Sequence, residues 1–285
     1  MKKLVVVVGP TASGKTSRAI ELAKEYGTEI VSCDSRQFYS ELNIGVARPS
    51  KEELDEAQHH FIACRSVNDP FNVFTYEQEA LSCLNKLFET HDIVVAVGGS
   101  GLYIDALCNG VAVLPDPSPE LRNELQEKLR NEGVESLRSM LKVLDPEYYN
   151  QVDLANGVRI QRALEVCLTA GKPYSQMIQQ PRSTRPFEIE KVLITREREE
   201  LRKRINQRVD MMIDQGLEKE ARQLFPLRHL NTLNTVGYKE FFAVWGKGDN
   251  SPFPLSKSMR EEVAEAIKLN TWHYAKKQIT WFNKR

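Results

Sequence analysis

A chain of 285 residues with 41% hydrophobic and 27% charged side chains can build one large α/β domain and a smaller lobe, and it has no apolar run near the roughly 20 residues of a membrane helix. Its 39 basic and 39 acidic residues cancel, so net charge alone draws it to neither nucleic acid nor an anionic surface. Cysteines 33, 64, 83, 108 and 167 are odd in number and form no C-x-x-C pair, which sets aside a disulfide framework and a zinc site; a first strand at residues 4–8 leaves no room for a cleavable signal, and the cytoplasm is the expected compartment.

The stretch VVVVGPTASGKTSRAI, residues 5–20, opens with four valines suited to a buried strand and continues as a helical pattern. Between them Gly9, Pro10, Thr11, Ala12, Ser13, Gly14, Lys15 and Thr16 fit G-x-x-x-x-G-K-[ST]. Strand, glycine loop and helix in that order form a phosphate cradle: N–H groups of residues 12–16 point at phosphate oxygens, Lys15 adds a point charge and the Thr16 hydroxyl can ligate Mg²⁺. A second strand, residues 29–33, ends at Asp34, which is expected one strand over from the loop and facing the same crevice. Capping of the next turn by its carboxylate is the commoner fate of such an Asp; Ser35, Arg36, Gln37, Phe38 and Tyr39 beside it suit a planar polar ligand, and a carboxylate near a phosphate site is a metal partner or a general base.

His59 and His60 are adjacent, point to opposite faces of any strand, and read as structural or edge groups. Thr75 with Gln78 reads as a capping box for a helix carrying Ala80, Leu81, Leu84 and Phe88. A third strand, residues 93–97, runs into Gly98, Gly99, Ser100 and Gly101 where an NTPase would put a magnesium-binding acid. Glycines there permit close approach, and Ser100 could bond Asp34 and orient it; a plain glycine turn is as good a reading of this stretch alone.

From PDPSP onward, residues 114–187 read as helices only: one starting at Ser118 and Pro119 with Leu121, Leu125 and Leu129 on one face, one over residues 134–144, and one carrying Ile160, Ala163, Leu164 and Cys167 up to Gly171. This is a helical lobe inserted into a sheet domain made of residues 1–113 and 188–285, with QQPRSTRP as a hinge-like exit. A fourth strand follows at residues 191–194. Alternating strands and helices predict an α/β fold: a parallel-sheet phosphate-loop core with helices on both faces and the helical lobe inserted. Arg204 and Arg208 share a helical face and could clamp an anionic leaving group, Met211 and Met212 read as helix core, and Ser258 with Glu261 reads as another capping box. The basic runs at residues 182–208 and 273–285 are weak signs of a nucleic acid surface.

Eight segments in order resemble the tRNA dimethylallyltransferases, also called tRNA isopentenyltransferases: GPTASGKT at Gly9, CDSRQFY at Cys33, IGVARPS at Ile44, HHFI at His59, GGSGLYIDAL at Gly98, RIQRALEV at Arg159, NTVGYKEF at Asn234 and YAKKQITWF at Tyr274. The resemblance spans nearly the whole chain. It implies dimethylallyl diphosphate as donor, the N6 amine of the adenosine 3′-adjacent to the anticodon as acceptor, Mg²⁺ as cofactor, a tRNA anticodon stem-loop as partner, and a monomer. It implies Asp34 as base, with Thr16 and Ser100 in catalytic roles. It also implies tRNA contacts from Asp34, Ser35, Arg36, Gln37, Ser100, Arg122, Val158, Arg159, Ile160, Gln161, Arg162, Asn234, Thr235, Val236, Gly237, Tyr238 and Lys239, with the basic tail at Lys276 and Lys277 beside them. The chain departs from the family pattern at Arg36, Arg48, Ser100 and Gly157, and it ends without the zinc finger of eukaryotic relatives, which reads as the bacterial type. The rivals are a phosphate-loop kinase of a small molecule or nucleoside and a nucleotide-binding switch without chemistry.

Overall fold

Four β-branched side chains in succession place apolar groups on both faces of a strand, which is stable only if both faces are covered. The computed structural model, which describes residues 2–69, 71–179, 184–246 and 253–284, covers both. Chain order begins β1 (Lys3–Val8), α1 (Lys15–Tyr26), β2 (Ile30–Ser32), α2 (Lys51–Glu56), β3 (His59–His60), α3 (Val73–Thr90), β4 (Ile93–Gly98) and α4 (Gly101–Asn109). The inserted helices are α5 (Pro119–Glu132), α6 (Val134–Leu144), α7 (Pro146–Tyr149), α8 (Gly157–Ala170) and α9 (Tyr174–Ile178); then come β5 (Glu188–Leu193), α10 (Arg198–Asp214), α11 (Leu217–Leu224), α12 (Lys239–Trp245) and α13 (Lys257–Asn283).

The five strands are parallel in the order β3-β2-β4-β1-β5. Leu4, Val6 and Val8 join Val94 and Ala96 under Ala80, Leu84 and Leu87 of α3 and Ile104 and Leu107 of α4. Val5, Val7, Val95 and Val97 face Ala19, Ile20, Leu22 and Ala23 of α1. The period-2 alternation therefore sorts one hydrophobic run into two cores, one per face. His59 and His60 are the edge strand expected of them. The order corrects the placing of Asp34: β4 lies between β2 and β1, so Asp34 is two strands from the phosphate loop, not one.

Two helix starts also differ from expectation. The Asn72 side chain accepts from Thr75 N–H, so α3 begins at Val73 and Thr75 is its third residue rather than its cap. Ser256 accepts from Met259 N–H, so the cap of α13 lies two residues before Ser258 and the helix begins at Lys257. In both cases another capping side chain lies a few residues upstream and adds part of a turn. A complete capping box occurs instead at Ser50 and Glu53, opening α2.

The structure divides into one compact unit of Met1–Cys108 with Arg185–Arg285 and a second of Asn109–Thr184. In the second, Leu125, Leu137, Leu141, Ile160, Ala163 and Leu164 form a core of their own from α5, α6 and α8. Ser118 caps α5 and Gly171 ends α8 at φ +64°. Buried Asp145 caps α7 through Tyr148 N–H and accepts from Ser175 N–H and Oγ, tying α9 to it. The boundary lies earlier than residue 187: Arg185 donates to the carbonyls of Ala106 and Leu107 and pairs with buried Glu77, and Phe187 packs on Phe88 in the sheet unit. Half of the hinge-like exit, residues 180–183, lies outside the described residues. No helix among the described residues is long and apolar enough to cross a membrane.

Candidate active site

The phosphate loop is shaped by backbone that side chains disfavour. Gly9 at φ +150° would place a Cβ 2.4 Å from the Ile194 carbonyl, Gly14 caps α1 at φ +96°, and Ala12 holds φ +63°. With no side chain capping α1, its first N–H groups stay available to an anion. The carbonyl side of the loop is tied down by arginines: Arg204 Nε donates to Ala12 O at 2.8 Å and Arg196 Nε to Ser13 O at 3.2 Å. Arg208 donates to Thr11 Oγ1 at 3.3 Å and Lys15 Nζ to Pro10 O at 2.7 Å.

This is crowded positive charge. Burial pulls the Lys15 amine down to about 8; Asp34 pushes it up and Arg208 pulls it further down. Burial, then Arg204, lowers Arg208 as well. Cations held together against their own desolvation and repulsion are relieved by an anion, which is what a diphosphate supplies. Ser13 Oγ is fully buried in the loop and has no hydrogen-bond partner.

Asp34 follows the end of β2. Its Oδ1 accepts from Arg36 N–H at 3.0 Å, so it does cap the following turn. It also lines the cavity that holds Lys15 and Thr16, so the two readings of this residue hold together. Ser100 corrects its expectation: its Oγ accepts from Ser35 N–H at 3.0 Å and bonds Ser35 Oγ at 3.1 Å, so it fixes Ser35 rather than the carboxylate of Asp34. Glycines at the end of β4 let the neighbours close in. A Cβ on Gly98 would lie 2.5 Å from Cys33 O, and one on Gly99 2.4 Å from Gln278 Nε2.

Gln278 is a site residue the sequence did not point out. Its amide accepts from Thr11 N–H and donates to Gly99 O, both at 2.8 Å, and so clips the phosphate loop to the β4 loop from α13. Glu220 is another. Its carboxylate accepts from the N–H groups of Ile44 at 2.9 Å and Gly45 at 3.0 Å and from the Tyr238 hydroxyl at 2.7 Å. The Tyr238 ring lies where a Gly45 Cβ would be, 2.5 Å away, which makes glycine obligatory there. Gln37 donates its amide to Val46 O at 3.2 Å and Ala47 O at 3.0 Å, so it holds this same loop. Glu220 and Gln278 lie 175 and 267 residues from partners that they hold, and no short-range pattern marks such pairings.

Two cavities result. The larger, about 950 Å³, is lined by Lys15, Thr16, Asp34, Gln37, Arg204 and Arg208 among others. The smaller, about 270 Å³, is lined by Ser35, Arg36, Asn234, Thr235, Val236 and Gly237, with Thr271 and Tyr274. Asp34, Val46, Ala47, Arg208 and Met212 belong to both. Met211, 55% exposed, lines the larger cavity, which corrects its reading as core; its exposed position on α10 faces the chamber.

The remaining expected RNA contacts separate by burial. In the helical unit Arg122, Val158 and Arg159 are exposed, Val158 by 75%. Ile160 is fully buried in the core of that unit, so its side chain is packing and offers nothing to RNA. Gln161 and Arg162 both donate to buried Glu165, and Arg122 lies 3.9 Å from it. A Cβ on Gly157 would meet Leu129 at 3.0 Å, so glycine here lets α8 start close against α5. In the sheet unit Tyr238 is fully buried on Gly45 and Glu220, a second correction from RNA contact to packing, and buried Gly237 sits with it. Asn234 is exposed, Thr235, Val236 and Lys239 are half-buried, and Lys276 and Lys277 are exposed on α13.

The family described as IPP transferase matches residues 37–285. tRNA dimethylallyltransferase 2 of Azobacteroides pseudotrichonymphae is 45% identical over 284 residues, covering 100% of this chain and 90% of its own. The tRNA dimethylallyltransferase of Christiangramia forsetii is 45% identical over 282 residues, covering 99% and 90%. The crystal structure of the full-length tRNA isopentenylpyrophosphate transferase from Bacillus halodurans superposes with a TM-score of 0.68 at 31% identity, over 100% of this chain and 88% of that one. A eukaryotic dimethylallyltransferase acting on tRNA shares the fold, with a TM-score of 0.77 at 22% identity over 99% and 70%. The family match begins after the phosphate loop, but the relatives extend through it. A cation-crowded loop facing a strand-end carboxylate, in a chain this similar along its whole length to those proteins, belongs to the IPP transferase family, the tRNA dimethylallyltransferases.

Proposed function

We propose that this chain moves a dimethylallyl group from dimethylallyl diphosphate to the N6 amine of the adenosine 3′-adjacent to the anticodon of a tRNA, releasing diphosphate. The observation that carries the reading is that one carboxylate, Asp34, and one guanidinium, Arg208, line both cavities. The donor's diphosphate belongs with the loop of residues 9–16, where Lys15, Arg204 and Arg208 take up the charge that builds as the allylic C–O bond breaks. The acceptor base enters from the smaller cavity, flipped from its stack because its amine is otherwise out of reach. As the N–C bond forms, the nitrogen's surplus proton passes to Asp34 and the C–O electron pair leaves with the diphosphate. Ser100 acts through Ser35, holding the residue after Asp34 in place.

Mg²⁺ fits this site through Thr16, which lines the same cavity as Lys15 and Asp34 and carries a hydroxyl. The Thr16 hydroxyl would hold such an ion together with oxygens of the diphosphate and water. When bound it neutralises diphosphate charge. A kinase reading asks for an acid at the end of β4, where Gly98, Gly99 and Ser100 stand.

The test is a mass measurement on an anticodon stem-loop RNA incubated with the protein, Mg²⁺ and dimethylallyl diphosphate. Gain of one prenyl unit on the adenosine 3′ of the anticodon is expected. Unmodified RNA, with ATP consumed in the presence of a small acceptor instead, defeats the reading.

A further inference from the structure

We propose that Tyr274 is the wall on which the acceptor base stacks, setting the base's amine against Asp34; this rests on the transferase reading above. Ile267, Thr271 and Tyr274 recur at four- and three-residue spacing on α13, so one stripe of that helix lines the smaller cavity. Tyr274 is the aromatic side chain among the residues lining that cavity, and Asp34, Ser35 and Arg36 line it too. The residue is 41% exposed, and its hydroxyl lies within electrostatic reach of Asp34, Ser100, Arg36 and Gln278.

Burial first, then Asp34, pushes the hydroxyl up to about 12, so the side chain stays a neutral phenol through the working range. An aromatic side chain that lines the cavity and keeps part of its surface open offers a face to a planar base. Bases drawn out of a stacked loop are commonly received by such aromatic faces, because every base has a π-face to lose and regain. Two groups near its hydroxyl tie the platform to the chemistry. Gln278 holds the phosphate loop and the β4 loop, and Ser100 holds Ser35, so the ring is registered against donor and base together.

The test compares Tyr274→Phe and Tyr274→Ala in the full chain, with an anticodon stem-loop RNA as acceptor and a non-cleavable alkyl diphosphate as donor probe. Loss of the ring is expected to raise the KM for RNA by on the order of tenfold or more, the size of one base–aromatic stack. The alkyl diphosphate should bind Tyr274→Ala as it binds the parent. Tyr274→Phe keeps the platform and should stay within about twofold of the parent in RNA KM, any loss appearing in kcat. The proposal is overturned by an unchanged RNA KM in Tyr274→Ala, by a Phe variant as impaired in KM as the Ala variant, or by a parallel loss of alkyl diphosphate binding, which marks a merely structural role. If the parent protein itself leaves the RNA unprenylated, the transferase reading fails first, and the two failures are told apart by that control.

Discussion

The sheet unit and the inserted helical unit use their polar side chains in opposite ways. In the sheet unit Gln37, Ser100, Glu220 and Gln278 are spent on backbone groups of other segments, and each holds one wall of the two cavities. In the helical unit the buried polar groups Asp145, Glu165 and Ser175 serve their own small fold, while Arg122, Val158 and Arg159 stand exposed on it. Reaction geometry is thus assembled by single long-range bonds in one unit. In the other, a surface is carried on helices that leucines hold together. The contrast teaches that single changes in the sheet unit should be severe and specific, and that surface changes in the helical unit should be shallow.

The largest effect is expected from Asp34→Asn. Turnover should fall by roughly 10²- to 10⁴-fold, the span of a lost general base, with a donor analogue still bound. A variant that turns over at the parental rate in a single-turnover assay would falsify the base role and blunt the contrast.

Next come paired losses of a carboxylate that holds backbone, half-buried Glu220 in the sheet unit and buried Asp145 in the helical unit. Glu220→Ala deprives the N–H groups of Ile44 and Gly45 and the buried Tyr238 hydroxyl of their acceptor. Stability should drop by about 2–4 kcal/mol in denaturant melts, and RNA KM should rise because the loop of residues 43–48 is loosened. Asp145→Ala unpairs Ser175 and the α7 cap at a comparable cost of about 2–4 kcal/mol, yet should leave donor-analogue affinity untouched. If Asp145→Ala weakens donor-analogue binding as much as Glu220→Ala weakens RNA use, the division of labour drawn above is wrong.

A smaller, pH-dependent effect follows from Lys15. Its amine is held near 8 before ligand binds, and a diphosphate favours the charged form, so binding takes up a proton above that pH. Affinity for an alkyl diphosphate should be flat below pH 8 and decline above it, approaching about tenfold per unit, and Lys15→Ala should abolish that slope. Titration calorimetry across pH 6–10 reads it, and a parental profile that stays flat to pH 10 removes Lys15 from the charge balance.

The smallest effect belongs to the helical surface. Arg159→Ala should weaken RNA binding only a few-fold and lower the salt slope of affinity by about one. A hundredfold loss there would mean that the helical unit, too, works through single decisive contacts.

How much of this was legible in the sequence differs along the chain for physical reasons. The phosphate loop was readable because its glycines meet local φ demands between a strand and a helix, and α5, α6 and α8 were readable from apolar spacing closed by Ser118, Gly133 and Gly171. The starts of α3 and α13 were misjudged, since Asn72 and Ser256 compete with nearby residues that cap equally well on paper. Ile160 and Tyr238 stand inside motifs associated with RNA, but a motif is silent on which of its members turn inward.

What the amino-acid order determined by itself is therefore local: a cradle for phosphate, a parallel sheet with two apolar faces, a helical insertion, and a carboxylate ending a strand. Tertiary structure alone decided that β4 separates Asp34 from the loop, that Ser100 serves Ser35, and that Gln278, Glu220 and Tyr274 frame the crevice. Periodicity, capping and backbone torsion act over a few residues and leave a trace in any short window. A hydrogen bond between Thr11 and Gln278 exists only once the sheet, α10 and α13 have packed, and nothing near either residue in the chain encodes the other.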